Sequence, residues 1–120
     1  MDFSSLEIEA SRYEQQLRKH RRALHRIPEL GYEEIKTHEY LMQHLEKLAP
    51  DDLRVFAQTG IRAVFRGDGT GRVIAFRSDI DALPIQEATG CTFASEHSGR
   101  MHACGHDGHM ANLLTFAQWL

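Results

Sequence analysis

One stretch, residues 101–109, concentrates side chains that bind transition metals. It holds the thiol of Cys104, three imidazoles and the carboxylate of Asp107. Thiolate and neutral imidazole suit zinc-like or manganese-like divalent ions, and a carboxylate either binds such an ion or orients an imidazole. The segment is therefore predicted to be part of a metal site in an enzyme, with too few donors nearby to complete that site.

Cys104 and His106 are the strongest candidates for metal ligands. Residues two apart in an extended loop project to the same side, so these side chains can hold one ion or two adjacent ions. Gly105 between them relaxes the backbone restrictions. The opposing interpretation is a buried free cysteine beside a surface histidine. The other polar residues of the segment are expected to support the site: His102, Asp107 and His109.

Two carboxylates, Asp79 and Asp81, follow a predicted strand that ends near Arg77. Carboxylates at the end of a strand commonly project into a cleft. One role for them is to accept a hydrogen bond and so orient a ligating or catalytic group. The alternative is a loop aspartate that binds backbone N–H groups, and this interpretation is stronger for Asp81 than for Asp79.

Other charged or reactive residues have simpler explanations. Glu33 and Glu34 suit the positive end of a predicted helix. The basic run over residues 18–22 is interpreted as a solvated helix face. Cys91 has no potential ligand within three residues and is expected to pack in the interior. The chain shows no export signal, so we expect a cytoplasmic location and free thiols.

The period of the apolar residues predicts the elements that position these side chains. Spacings of three, four and seven predict helices over residues 4–27, 33–48 and 109–120, and Pro28 ends the first of them. Short strands are predicted over 53–56, 61–66 and 72–77.

The glycine-rich residues 67–71 are expected to form an exposed turn that joins the last two strands as a hairpin. We expect no phosphate-binding role for this turn. The elements indicate an α/β fold.

Length and composition limit the functional classes. The chain has 120 residues, of which 42% are hydrophobic and 26% charged, as in one modest globular domain. It contains no apolar run of the roughly 18 residues that a membrane span requires. The net charge of −3 gives no reason to expect a nucleic-acid partner.

Three strings in this order resemble one family. They are LHRIPELGYEE at residues 24–34, RSDIDALPI at 77–85 and GRMHACGHDGH at 99–109. Together they are similar to the amidohydrolase branch of the M20 metallopeptidases. This branch includes hippurate hydrolases, auxin-conjugate hydrolases, aminobenzoyl-glutamate hydrolases and N-acetyldiaminopimelate deacetylases. The likeness runs from about Leu17 to the end of the chain, and the third string is its most specific part.

The resemblance implies a two-metal site, with manganese, zinc or nickel, that hydrolyses the amide bond of an N-acyl amino acid. By position, Cys104 and His106 match the first two metal ligands of the family, and Asp79 matches an active-site aspartate. The fold implied is the N-terminal part of a zinc-peptidase-like α/β catalytic domain. It would comprise two helices, a β-hairpin of a mixed sheet, the metal-site loop and the start of a further helix.

The same resemblance implies that the chain holds only half of the site. The glutamate base, the remaining ligands and the inserted smaller domain of the family lie beyond residue 120. Residues 1–120 are therefore expected to be inactive alone, with homo-oligomerisation a property of the complete enzyme. Two alternatives remain open: a non-catalytic interaction module that keeps the fold, and a small structural zinc domain with four ligands in this chain.

Overall fold

The computed structural model describes residues 3–120, so Met1 and Asp2 of the polar N-terminus lie outside the described residues. The elements in chain order are α1 (Phe3–Arg12), α2 (Glu14–His25), α3 (Ile35–Lys47), β1 (Asp52–Phe56), β2 (Gly60–Val64) and α4 (His106–Trp119). This mixture of helices and strands confirms the predicted α/β class. None of the helices formed by residues 3–120 has the length and apolar character needed to cross a membrane.

The predicted long first helix consists of two consecutive helices. At the junction, the N–H of Tyr13 donates to the carbonyl of Ala10 at 3.0 Å, a three-residue step that tightens the helical turn. Helix α1 contributes no buried residue, whereas α2 buries His20, Leu24 and His25. Packing against the rest of the chain therefore depends on α2.

A small core joins the three packed helices. It consists of Leu24 from α2, Leu41 from α3, and Met110 and Leu114 from α4. Helices α2 and α4 lie directly against each other. Burial of apolar side chains supplies most of the stabilisation of such a core. The packing of α2 against α4 therefore holds the start of α4 near the end of α2.

The basic run of α2 is exposed as predicted, with one exception. His20 has no solvent-exposed surface, and its Nδ1 lies 2.7 Å from the hydroxyl of Tyr40. Burial, together with the neighbouring His44 and Lys19, lowers the pKa of His20 to about 4. This ring is therefore a neutral core residue at neutral pH.

The prediction of a hairpin between residues 61–66 and 72–77 is wrong. Strand β2 instead pairs antiparallel with β1, and Asp52 lies opposite Val64 in this register. The turn between β1 and β2 is hydrogen-bonded through Thr59 to the first turn of α3 and the residue before it. The Thr59 hydroxyl donates to Glu34 at 2.7 Å, and the Nδ1 of His38 donates to the Thr59 carbonyl at 2.8 Å. These contacts from α3 favour the nearer strand partner.

Residues 72–77 form no strand despite their β-branched and aromatic content. Val73 is 96% exposed and Ile74 is 74% exposed. Phe76 makes an edge contact with the ring of Phe116 on α4 at 4.9 Å between centroids. β-propensity reflects packing on a pleated, half-buried surface, and this segment has no neighbouring strand among the described residues.

The long connection from residue 65 to residue 105 is irregular, but backbone hydrogen bonds hold it to itself and to the residues that follow α2. Leu83 and Met101 form an isolated antiparallel bridge, with both N–H···O distances at 3.0 Å. The N–H of Ala82 donates to the carbonyl of Glu29 at 2.7 Å, just after α2 ends. These bonds bring residues 79–87 beside residues 101–107 and beside the end of α2.

Candidate metal centre

The metal-site segment turns sharply into α4. Gly105 adopts the left-handed conformation, with φ +95°, which L side chains rarely adopt. Helix α4 then begins at His106, three residues earlier than predicted, with Asp107 in its first turn. A carboxylate there is favourable at the positive helix end. Cys104, just before the turn, is exposed and its thiol is free.

His106 is held in one orientation by Asp81. Its Nδ1 lies 2.9 Å from the backbone carbonyl oxygen of Asp81 and 3.1 Å from a carboxylate oxygen of the same residue. A carbonyl oxygen only accepts, so Nδ1 carries a proton. The other nitrogen, Nε2, is then available as a lone-pair donor to a metal.

Asp79 does not contact His106 in the described structure. Its carboxylate accepts a hydrogen bond from the guanidinium of Arg77 at 2.5 Å, and its side chain is about half exposed. Asp81 therefore performs the orienting role that was predicted for one of the two aspartates. The active-site role of Asp79 stays a prediction.

The two flanking histidines lie in different environments. His102 is buried, and neither of its ring nitrogens has a hydrogen-bond partner among residues 3–120. Burial is the largest influence on His102 and lowers its pKa to about 4, so the ring is neutral at neutral pH. His109 is exposed, with its ring centroid 5.9 Å from that of His106.

Asp107 is a wholly buried carboxylate that joins α4 to α2. Its Oδ2 accepts a hydrogen bond from Nδ1 of His25 at 2.8 Å and lies 3.5 Å from Nε of Arg21. Its other oxygen has no partner among the described residues. The supporting role expected for Asp107 is thus a contact with the end of α2.

A second group of donors was missed by the sequence interpretation. His25, Glu87 and Cys91 each offer one donor atom within 4.8 Å of the others. Cys91 was expected to pack in the interior, but it is half-buried and its Sγ lies 3.7 Å from Oε1 of Glu87. A window of three residues could not detect this group, because Glu87 lies four residues from Cys91 and 62 from His25.

In the part of the chain that the structure describes, residues 101–109 do not place three donor atoms within 4.8 Å of one another. A four-ligand structural zinc site within this segment is therefore not formed in this conformation. Cys104 and His106 offer two donors of a type that fits zinc, manganese or nickel, and a catalytic centre requires more. Their assignment as ligands stays a prediction.

The model of peptidase family M20/M25/M40 matches residues 75–120, which include the Asp79–Asp81 loop and the whole metal-site segment. An N-acetyldiaminopimelate deacetylase of Leuconostoc citreum is 50% identical over 103 residues, covering 82% of this chain. The chain belongs to the M20 peptidase family. An N-acetyldiaminopimelate deacetylase of Listeria monocytogenes is 52% identical over 95 residues, covering 78% of the chain.

A solved M20 structure has the same fold. The YXEP protein of Bacillus subtilis, a dinuclear metal-binding peptidase, superposes with a TM-score of 0.82 and 38% sequence identity over 91% of this chain. The chain spans 27% and 26% of the two deacetylases and 32% of the YXEP chain. The predicted resemblance to this family is therefore confirmed.

Proposed function

We propose that this chain forms the N-terminal portion of the catalytic domain of a metal-dependent amidohydrolase. Its substrate would be a small N-acyl amino acid whose amide bond is hydrolysed. Support comes from the deacetylase relatives, which share about half of the aligned residues with this chain. Because the chain spans only about a quarter of their length, the activity and the substrate of the whole protein are part of the proposal.

The observation that carries the proposal is the orientation of His106. The carbonyl of Asp81 holds the proton on Nδ1, which leaves Nε2 as the nitrogen that can bind a metal, and the thiol of Cys104 two residues earlier is exposed. Thiolate and imidazole together fit a divalent ion such as zinc, manganese or nickel. When bound, two such ions would acidify a water molecule and polarise the amide carbonyl.

The other roles proposed for this chain follow from position. Asp81 would keep His106 in the ligating tautomer, since a fixed second nitrogen raises the basicity of the ligating one. Asp79 would be the active-site carboxylate, now paired with Arg77 in an exposed loop. Neutral His102 would border the centre without adding a positive charge that repels a cation.

The rest of the catalytic machinery would lie outside residues 1–120. We propose that the glutamate base, the remaining metal ligands and the inserted smaller domain follow residue 120, so the chain alone would be inactive. A complete enzyme would act in the cytoplasm, where the free thiols of Cys91 and Cys104 stay reduced, and homo-oligomerisation belongs to that complete form.

An assay of N-acetyl amino acid hydrolysis, in which the released free amine is measured, tests this proposal. The 120-residue chain should give no turnover, and the protein encoded by the whole reading frame should turn over with added Mn²⁺ and stop with a chelator. Cys104→Ser and His106→Ala should each lower that rate at least about 100-fold, since changes beyond the direct ligands already cost roughly 10–100-fold.

Asp68→Asn, in the exposed glycine-rich loop, is the matched control and should leave the rate unchanged. Turnover that survives both Cys104→Ser and His106→Ala would contradict the proposed metal centre. Turnover by the 120-residue chain alone would contradict the proposed division of the machinery.

A further inference from the structure

The end of α2 and the loop after Leu83 bring together donors that the proposed amidohydrolase centre does not use. They are the imidazole of His25, the carboxylate of Glu87 and the thiol of Cys91. The side chains of His25 and Glu87 are 8% and 3% exposed, and Cys91 is half-buried. Imidazole nitrogen, carboxylate oxygen and thiolate sulfur are the three donor types that zinc accepts in proteins.

The imidazole of His25 lies between two carboxylates. Its Nδ1 is 2.8 Å from Oδ2 of Asp107, and its Nε2 is 3.1 Å from Oε1 of Glu87. An ionised carboxylate only accepts, so the nitrogen that faces Glu87 must carry a proton or bind a cation. A metal ion at Nε2 therefore meets the same need as the proton that it replaces.

Oε1 of Glu87 is the point where the donors converge. It accepts from the hydroxyl of Thr89 at 2.5 Å, and it lies 3.1 Å from the His25 ring and 3.7 Å from the Cys91 sulfur. The other carboxylate oxygen accepts from the N–H of Ser95 at 2.6 Å. Oε1 therefore lies next to two further hydrogens, that on Nε2 of His25 and that of the Cys91 thiol, and a divalent cation can displace both.

Glu87 is anionic at neutral pH. Burial raises its pKa, but the bonds from the Thr89 hydroxyl, the Ser95 N–H and His25 outweigh burial and lower the pKa to about 2. An ionised carboxylate in a nearly dry position attracts a cation more strongly than the same group does in water. The negative charge needed at the site is therefore already present.

We propose that His25, Glu87 and Cys91 form a second metal site, distinct from the Cys104 and His106 centre, for a thiophilic divalent cation of the zinc class. Binding displaces one proton from Nε2 of His25 and one from the Cys91 thiol, so each ion releases two protons and no group is oxidised or reduced. Asp107 keeps the Nδ1 proton and fixes the ring, as carboxylates beside zinc-bound histidines do.

Little movement is required to close the site. Ligand atoms around a tetrahedral zinc ion lie about 3.5 Å apart, and the three donor atoms already lie within 4.8 Å of one another, so each pair needs to approach by no more than roughly 1 Å. Cys91 lies in a partly exposed loop and can supply that movement. Water fills the fourth position, because three protein donors are present.

Titration of the Cys104→Ser chain with Cd²⁺ tests the site, because Cys91 is then the only thiol of the chain. The ultraviolet thiolate-to-cadmium charge-transfer band should saturate at one equivalent and release about two protons per ion. Glu87→Gln and His25→Gln should each weaken the affinity at least about 10-fold. Glu96→Gln, an exposed carboxylate of the same loop, is the matched control and should leave it unchanged.

Two results would overturn the second site. One is the absence of the band in the Cys104→Ser chain. The other is a band of equal affinity with or without the Glu87 and His25 side chains, which would mean that an isolated thiol binds the ion. If those two variants lose their helical circular dichroism, the rise in Tm caused by Zn²⁺ decides: it should occur in Cys104→Ser and vanish when Cys91→Ser is added. An equal rise in both would reject the proposal.

Discussion

The two groups of donor side chains differ in how the fold assembles them. Cys104 and His106 are neighbours in sequence, lie at a loop-to-helix turn, and leave a thiol and a ring nitrogen open. His25 and Glu87 are 62 residues apart and are buried together with their hydrogen bonds already made. We call Cys104 and His106 the open pair and His25 with Glu87 the closed group, because the second group makes its hydrogen bonds inside the fold and so also stabilises it.

Asp107 connects the two groups. It follows His106 directly in α4, and its carboxylate contacts His25 at the end of α2. The position of the open pair therefore depends on the closed group. Disturbing the closed group should cost stability, whereas disturbing the open pair should cost ligand binding.

The largest expected effect is on stability when Asp107 is removed. Asp107→Ala leaves the buried His25 ring without its acceptor and should lower the free energy of unfolding by about 3 kcal/mol. Urea unfolding at pH 7 measures this loss. Asp79→Ala, which removes an exposed pair with Arg77, should cost less than about 1 kcal/mol. Equal losses in both variants would mean that the buried contact of Asp107 with His25 contributes no more than an exposed ion pair.

A smaller effect is expected at the turn that aims the open pair. Gly105→Ala places a side chain at φ +95° and should cost about 1–2 kcal/mol in the same urea assay. Gly31→Ala is the matched control: no atom lies within 4 Å of its added methyl group and its φ is not in the left-handed range, so stability should be unchanged or slightly higher. If Gly105→Ala leaves the free energy of unfolding unchanged, the left-handed turn at this position does not contribute to stability.

The last expected effect is a loss of stability in acid. The folded-state pKa of Glu87 is about 2 against an ordinary value of 4.5, so its contribution to stability is complete above pH 4.5 and is lost as the pH falls toward 2. The stability difference between the chain and its Glu87→Gln variant should be largest above pH 4.5 and shrink as the pH falls toward 2. A difference that does not change with pH would mean that Glu87 is not held as an anion.

The sequence identified Cys104 and His106 as candidate ligands, whereas it did not indicate the closed group. Donors that lie within nine residues are visible as a motif, and a resemblance then gives them roles. His25 belongs to the first matching string, but its partners are chosen by the packing of α2 against α4 and by a loop fastened to the end of α2. These tertiary contacts have no local signature in the sequence.

The pairing of the strands also depends on tertiary contacts that the sequence does not reveal. Residues 72–77 have strong β-propensity, and the glycine-rich turn before them favours a hairpin. The contacts of Thr59 with Glu34 and His38 instead fasten the earlier turn to α3 and select β1 as the partner of β2. Periodicity predicted the helices well because one face of each helix carries its own burial pattern. A strand depends on which neighbour pairs with it.

Zinc X-ray absorption of the protein encoded by the whole reading frame, carrying Cys91→Ser, tests the proposed metal centre most directly, because this variant removes the sulfur of the second proposed site and keeps Cys104. If Cys104 and His106 hold the ion, the spectrum shows one sulfur at about 2.3 Å together with nitrogen at about 2.0 Å, and Cys104→Ser removes the sulfur contribution. A zinc-loaded Cys91→Ser form of that protein with only oxygen and nitrogen neighbours around the ion would contradict the assignment of Cys104 as a ligand.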